Sequence, residues 1–242
     1  MAERFHIKGF IPVSMLDWPG RISCVVFLGG CGFRCPACHN PKLVLEPESL
    51  PDVPLKRLLE YLEGRIPWID GVAVTGGEPT LRWNLPRFLE IFRSYGLAIK
   101  LDTNGSNPAM IERLLADGLV DAIAMDVKAP LTREEYSAVA GVPVDPGRIA
   151  RSIGILKASG IEVTFRTTVI PGLVEEPELA RIREFLGHVR RYVVQPFRNL
   201  ETLAPSFARI EPFSARRFEE MQSMFEIPRR SETTSLWPAS AG

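Results

Sequence analysis

Six short runs of apolar and β-branched residues punctuate the chain, at 21–28 (RISCVVFL), 71–76 (GVAVTG), 97–103 (LAIKLDT), 121–127 (DAIAMDV), 161–170 (IEVTFRTTVI) and 191–197 (RYVVQPF). Their length and composition predict strands. Between them the apolar spacing changes to three and four. LPRFLEIFRSYG, NPAMIERLLADG and PELARIREFLG carry that spacing and stop at or near a glycine, as amphipathic helices do. Strands alternating with helices imply a parallel sheet covered by helices. Past residue 197 the pattern loosens. FSARRFEEMQSMF at 213–225 predicts a closing helix with Ser214 as its N-cap, and the last residues, 229–242, predict a frayed tail on a single domain spanning 1–228.

The address of the unusual residues separates the two folds that share this alternation. Cys31, the Gly76-Gly77-Glu78 turn, Asp102, Asp126 and Gln195 all fall at or just past the C-terminal end of a predicted strand. That edge is where barrel enzymes assemble their sites, so the expectation is an α/β fold, an incomplete (β/α)6 barrel with a bowl at that edge, rather than a doubly wound open sheet. The 242 residues include 29 Lys plus Arg and 29 Asp plus Glu, which gives no net field to draw in nucleic acid or an anionic lipid surface. With 45% hydrophobic residues and no apolar run of membrane-spanning length, the composition points to a globular protein. The N-terminus has scattered charges and no apolar core of a secretory signal, which makes the cytoplasm the default expectation.

All four cysteines lie between Cys24 and Cys38, a poor basis for a disulfide framework. Cys31, Cys35 and Cys38, separated by three and then two residues in GGCGFRCPACHNP, place three thiolates where they can grip a soft metal centre. Three ligands on a four-iron cubane leave one iron with an open position. The alternative is a zinc site completed by His39, although neighbouring Cys38 and His39 would struggle to point at one ion and no second ligand arm exists. His39 could equally donate a hydrogen bond near a cluster or pack the loop. Cys24, inside ISCVVF, reads as a buried, unreactive thiol.

The cysteine loop, TGGEP (75–79), LDTNG (101–105), MDVKAP (125–130), TFRTTVIPG (164–172) and VQPF (194–197), in that order and after FIPVSMLDWPGRIS (10–23), resemble the radical S-adenosylmethionine (SAM) superfamily. In detail they resemble the activating proteins of glycyl radical enzymes, above all the branch that activates anaerobic ribonucleoside-triphosphate reductase. The resemblance implies a [4Fe-4S] cluster on Cys31, Cys35 and Cys38, with SAM bound through its amino and carboxylate groups at the open iron. Reduction of the cluster then splits the sulfonium and yields a 5′-deoxyadenosyl radical.

It further implies that the Gly76-Gly77-Glu78 turn meets the SAM amino group, although the same glycines suit any tight turn and Glu78 could instead cap local amides. Asp102, Thr103 and Asp126 match positions that hold a monovalent cation in the similar pyruvate formate-lyase activating enzyme, with Lys128 two residues past the second carboxylate; helix capping is the alternative. Asn104 could bond SAM or serve an Asn-Gly turn. Arg166, a charge among β-branched residues, requires a carboxylate, either from SAM or from Asp126. Arg198 stands where the formate-lyase activating enzyme has a SAM-contacting histidine, which favours the reductase branch. The implied substrate is a glycine of a partner enzyme, the implied electron donor a flavodoxin or ferredoxin-type protein, and the cysteine count allows one cluster. The rival readings are a small-molecule radical SAM enzyme remodelling a purine or pterin precursor, and a structural zinc-binding interaction protein.

Overall fold

The computed structural model describes residues 4–227, so the tail expected at 229–242 lies outside the described residues. A seven-stranded sheet organises the chain, with the strands side by side in sequence order. Strand β1 (Ile7–Ser14) is antiparallel to β2 (Ser23–Leu28). From β2 the sheet runs parallel through β3 (Gly71–Gly76), β4 (Ala98–Thr103), β5 (Ala122–Asp126), β6 (Glu162–Val169) and β7 (Tyr192–Pro196). All six expected strands are present and unclosed, and β1 extends them at one edge. Pro12 and Gly9 break the alternation in β1, and an edge strand tolerates both because one side of its backbone needs no ladder partner.

The helices follow from the same sequence pattern. In α3 (Leu85–Ser94) the residues Leu85, Phe88, Leu89 and Phe92 are buried, the i, i+3, i+4, i+7 stripe of one helical face. Phe88 packs edge-on to Phe92 with ring centroids 4.8 Å apart, and each such buried ring contributes about 1.5–3 kcal/mol by leaving water. Helices α4 (Pro108–Ala116) and α7 (Glu176–Leu186) occupy the other two expected stretches. The closing helix α8 (Ala215–Phe225) starts at Ser214, whose hydroxyl accepts the Arg217 N–H. Two short helices, α1 (Pro41–Leu45) and α2 (Leu55–Glu63), fill the β2–β3 connection, and two, α5 (Arg133–Ala140) and α6 (Pro146–Ala158), fill the β5–β6 connection.

Strand alternation divides the sheet into two faces. On β4 and β5, Ile99, Leu101, Ile123 and Met125 belong to the hydrophobic core beneath the helices. Their neighbours Lys100, Asp102, Ala122, Ala124 and Asp126 therefore face the concave side. No helix among the described residues is long and apolar enough to cross a membrane.

Candidate active site

The loop that leaves β2 carries the three cysteines, and its backbone is tied down from four directions. Gly30 N–H donates to Leu43 O (2.8 Å), Arg34 N–H to Ala140 O at the end of α5 (2.8 Å), and Pro36 O accepts the N–H of Ala204 (3.0 Å). The fourth tie is the Glu78 N–H, which donates to Gly30 O (2.8 Å). Gly141 caps α5 at φ +68°, and a side chain there would put Cβ 2.1 Å from Arg34 O. The loop is thus a built feature of the fold.

Its thiols are free and partly buried. Burial pushes the Cys31 thiol up to about 11, partly opposed by the Phe33 N–H that donates to its sulfur at 3.3 Å, and burial raises Cys35 as well. Cys24, fully buried inside β2, is pushed up to about 12, as an inert core thiol should be. Three soft sulfur donors on one braced loop suit an iron–sulfur cluster, whose ligands attach to different irons and need not converge on a point. Among the described residues no three His, Cys, Asp or Glu side chains gather as they would around a single ion. His39 gives its Nδ1 hydrogen to Glu201 O (3.1 Å) and stacks on Phe197, so its ring is engaged by the segment after β7.

The Gly-Gly-Glu turn is built into the fold at both glycines and at the carboxylate. A Cβ on Gly76, which sits at φ +124°, would lie 2.3 Å from Leu28 O, and one on Gly77 would lie 2.0 Å from Gly30 O. The glycines are required because the turn lies against the end of β2 at Gly76 and against the cysteine loop at Gly77. Glu78 is buried at 1% exposure and does not line the cavity. Its Oε1 accepts from Thr80 and from the Thr103 hydroxyl (2.7 Å), and its Oε2 accepts the Asn104 N–H (2.7 Å). Burial raises its pKa and these donors pull it back. Of the two roles open to this carboxylate, a SAM contact or the capping of local amides, the second is seen, with both oxygens committed to the Thr80 and Thr103–Asn104 turns.

Five charged side chains, Lys100, Asp102, Asp126, Lys128 and Arg166, meet toward the ends of β4, β5 and β6. Arg166 bridges the two carboxylates, with Nη1 3.1 Å from Asp102 Oδ2 and Nε 2.8 Å from Asp126 Oδ1. Lys128 Nζ lies 2.9 Å from Asp126 Oδ2. Burial works against the charges of Asp126, Lys128 and Arg166. Arg166 and Lys128 outweigh it at Asp126 and hold that carboxyl far below the usual range, while the acids raise both bases. The carboxylate that Arg166 required is Asp126, joined by Asp102. Lys100 takes the remaining oxygen of Asp102, so every carboxylate oxygen of the pair at the expected cation position has a side-chain donor.

These groups line a cavity of about 260 Å³ at the C-terminal edge of the strands. It brings together Cys31, Cys35, Cys38, Gly76, Gly77, Asp102, Thr103, Asn104, Asp126, Lys128 and Arg166, with Phe33, Val44, Val139 and Ile170 as apolar wall. Glu78 and Arg198 stay outside it; Arg198 is exposed past the end of β7. Asn40 and Thr168, which the sequence does not single out, also line it, as do His39 and Gln195, to which the sequence assigns a place beside the cysteines and at the strand edge but no cofactor contact. Gln195 carried a signal in its position at a strand end, and Thr168 shares its register across β6 and β7.

An unclosed parallel sheet with a three-thiol loop at its carboxyl edge defines an iron–sulfur enzyme class. A family model of the radical SAM superfamily matches residues 25–185, well over half of the chain, and the chain belongs to that superfamily. Two relatives narrow the comparison. One is a protein of Methanocaldococcus jannaschii named as a glycyl-radical enzyme activating enzyme, 28% identical over 211 residues that cover 84% of this chain and 85% of that one. The other is the pyruvate formate-lyase-activating enzyme of Clostridium pasteurianum, 29% identical over 213 residues covering 81% and 83%. Among solved structures, Streptococcus suis SuiB bound to precursor peptide SuiA superposes with a TM-score of 0.62 at 16% identity, over 82% of this chain and 44% of that one. TYW1 with a lysine–pyruvate adduct bound gives 0.57 at 17%, over 84% and 72%. At those identities the likeness is one of fold.

Proposed function

We propose that this chain is a radical SAM activating enzyme that places a radical on a glycine of a partner enzyme. The observation that carries the reading is the single cavity uniting the three thiols of the braced loop with the Asp102–Asp126–Lys128–Arg166 cluster, in a chain whose relatives are named as activating enzymes. Cys31, Cys35 and Cys38 would hold a [4Fe-4S] cluster, which would supply the electron for reductive cleavage of SAM and so the radical chemistry at the glycine α-carbon.

The protein's own part is positioning. Gly76 and Gly77 hold their turn against the cysteine loop, presenting backbone to the SAM amino group. Lys128 and Arg166 at the cavity and Lys100 buried behind it pair with Asp102 and Asp126, a surplus of one positive charge that suits the SAM carboxylate. Asn104 and Lys128 add donors at the wall, while Phe33, Val44, Val139 and Ile170 exclude water from the reacting groups.

Within this reading the partner is anaerobic ribonucleoside-triphosphate reductase, supported by Arg198 standing where the formate-lyase branch has an imidazole; the electron donor is a cytoplasmic flavodoxin or ferredoxin-type protein. Anaerobic reconstitution with SAM, a reductant and each purified glycyl radical enzyme in turn tests it. The expected result is deoxyadenosine release together with a glycyl radical signal on the reductase, both abolished by Cys35→Ser. Deoxyadenosine release that depends on a purine or pterin precursor and not on a protein would replace the activase reading, and purification with zinc but no iron or sulfide would refute it.

A further inference from the structure

Lys100 lies two residues before Asp102 on the same concave face of β4, and it is buried at 7% exposure. Its register partners are Ala73 on β3 and Ala122 on β5. Short side chains on both sides leave the floor open for its stem to run along the strand to the Asp102 carboxylate. A buried ammonium needs such a counter-charge, and Asp102 Oδ1 supplies it. Arg166 then takes Asp102 Oδ2 and Asp126 Oδ1, and Lys128 takes Asp126 Oδ2.

An alkali-metal ion binds where several oxygens are free to replace its water shell and where the local field favours a cation. Here all four carboxylate oxygens carry a side-chain donor, and fixed cations outnumber carboxylates. We infer that Lys100 and Arg166 take the place of a monovalent metal ion at the Asp102–Asp126 pair, so that this chain binds SAM without an alkali cation. Lys100 is a positioning residue in this scheme: it holds Asp102, which in turn orients Arg166 at the cavity floor. The inference rests on the cavity being the SAM site.

The test measures SAM affinity of the reconstituted full chain at constant ionic strength in sodium, potassium or tetramethylammonium chloride. Dissociation constants should agree within about twofold across the salts, and a weakening of about tenfold or more in tetramethylammonium overturns the inference. K100M removes the fixed charge and frees an oxygen of Asp102, so its SAM affinity should become alkali-dependent by about tenfold. A K100M variant that folds, binds SAM and remains indifferent to the cation overturns the role of Lys100. Sodium NMR relaxation on the iron-free wild-type chain decides the cation question without SAM and without a variant: no saturable sodium binding is expected, and saturable binding overturns the inference. Failure of SAM to bind in any of the salts would instead count against the SAM site itself.

Discussion

The Asn104 side-chain amide lies 3.8 Å from the Cys31 sulfur, while the same residue's backbone N–H is held by Glu78 at 2.7 Å. A buried carboxylate thus sets the loop whose amide reaches the cysteine loop. Each oxygen of the Glu78 carboxylate accepts a backbone N–H, from Thr80 or from Asn104, so Glu78→Gln must turn an amide N–H toward another donor whichever way it rotates. The expected cost is about 1–3 kcal/mol, measured by denaturant unfolding of the iron-free chain. A variant as stable as wild type would show that Glu78 is not the anchor described.

The Gly77–Gly30 approach gives a second prediction. Gly77→Ala places a methyl group 2.0 Å from the Gly30 carbonyl oxygen, where only backbone can yield. The cysteine loop must then shift as a unit. Iron and sulfide content after anaerobic reconstitution should fall severalfold while far-UV circular dichroism stays native. Full cluster occupancy in this variant would mean that the loop is softer than its four ties imply.

Acid should loosen the charged floor of the cavity. The Asp126 carboxyl is held well below its ordinary value, so the unfolded chain takes up its proton first as the pH drops. The stabilisation is complete above the unfolded value of about 4 and is lost as the pH falls from there toward the folded value. Asp126→Asn leaves Arg166 and Lys128 without their shared partner and should cost about 3–5 kcal/mol at neutral pH, with a flatter stability profile below pH about 4. Thermal melts of both proteins across that range check the sign.

Metal loading should respond to pH in the opposite direction from structural loosening. Burial keeps the Cys31 thiol protonated up to about 11 in the metal-free chain, and a thiol must lose its proton to bind iron. Reconstitution should therefore release protons and proceed more completely at mildly alkaline than at mildly acidic pH. Unbuffered proton release measured during loading, compared with Cys31→Ala, isolates the contribution of this residue.

The strands were legible because each is a short apolar run with a motif at its end, and β3 matches its predicted bounds residue for residue. The same property exposed eleven residues that line the cavity. Strand β1 was hidden because Gly9 and Pro12 interrupt its pattern and its pairing with β2 is antiparallel, which no βα alternation announces. Lys100 was hidden for another reason. One lysine in LAIKLDT reads as a solvated residue, and only the register with Ala73 and Ala122 shows that it lies on the concave floor. The motif around Glu78 named the residue but not its task, since its partners Thr103 and Asn104 arrive from the next strand. Likewise, spacing located Asp102 and Asp126 but could not reveal that Arg166 from β6 would bridge them.

The neighbours that hold the cysteine loop have an implication for how the chain matures. Because strand order equals chain order, each parallel strand can dock on the one synthesised before it. The thiols leave the ribosome early, yet the carbonyl of Arg34's partner, Ala140, comes a hundred residues later and the Ala204 amide that secures Pro36 comes later still. The cysteine loop is made near the beginning and completed near the end. A nascent or truncated chain that stops short of Ala204 would carry three cysteines without their full scaffold, so the loop's final geometry waits for nearly the whole chain.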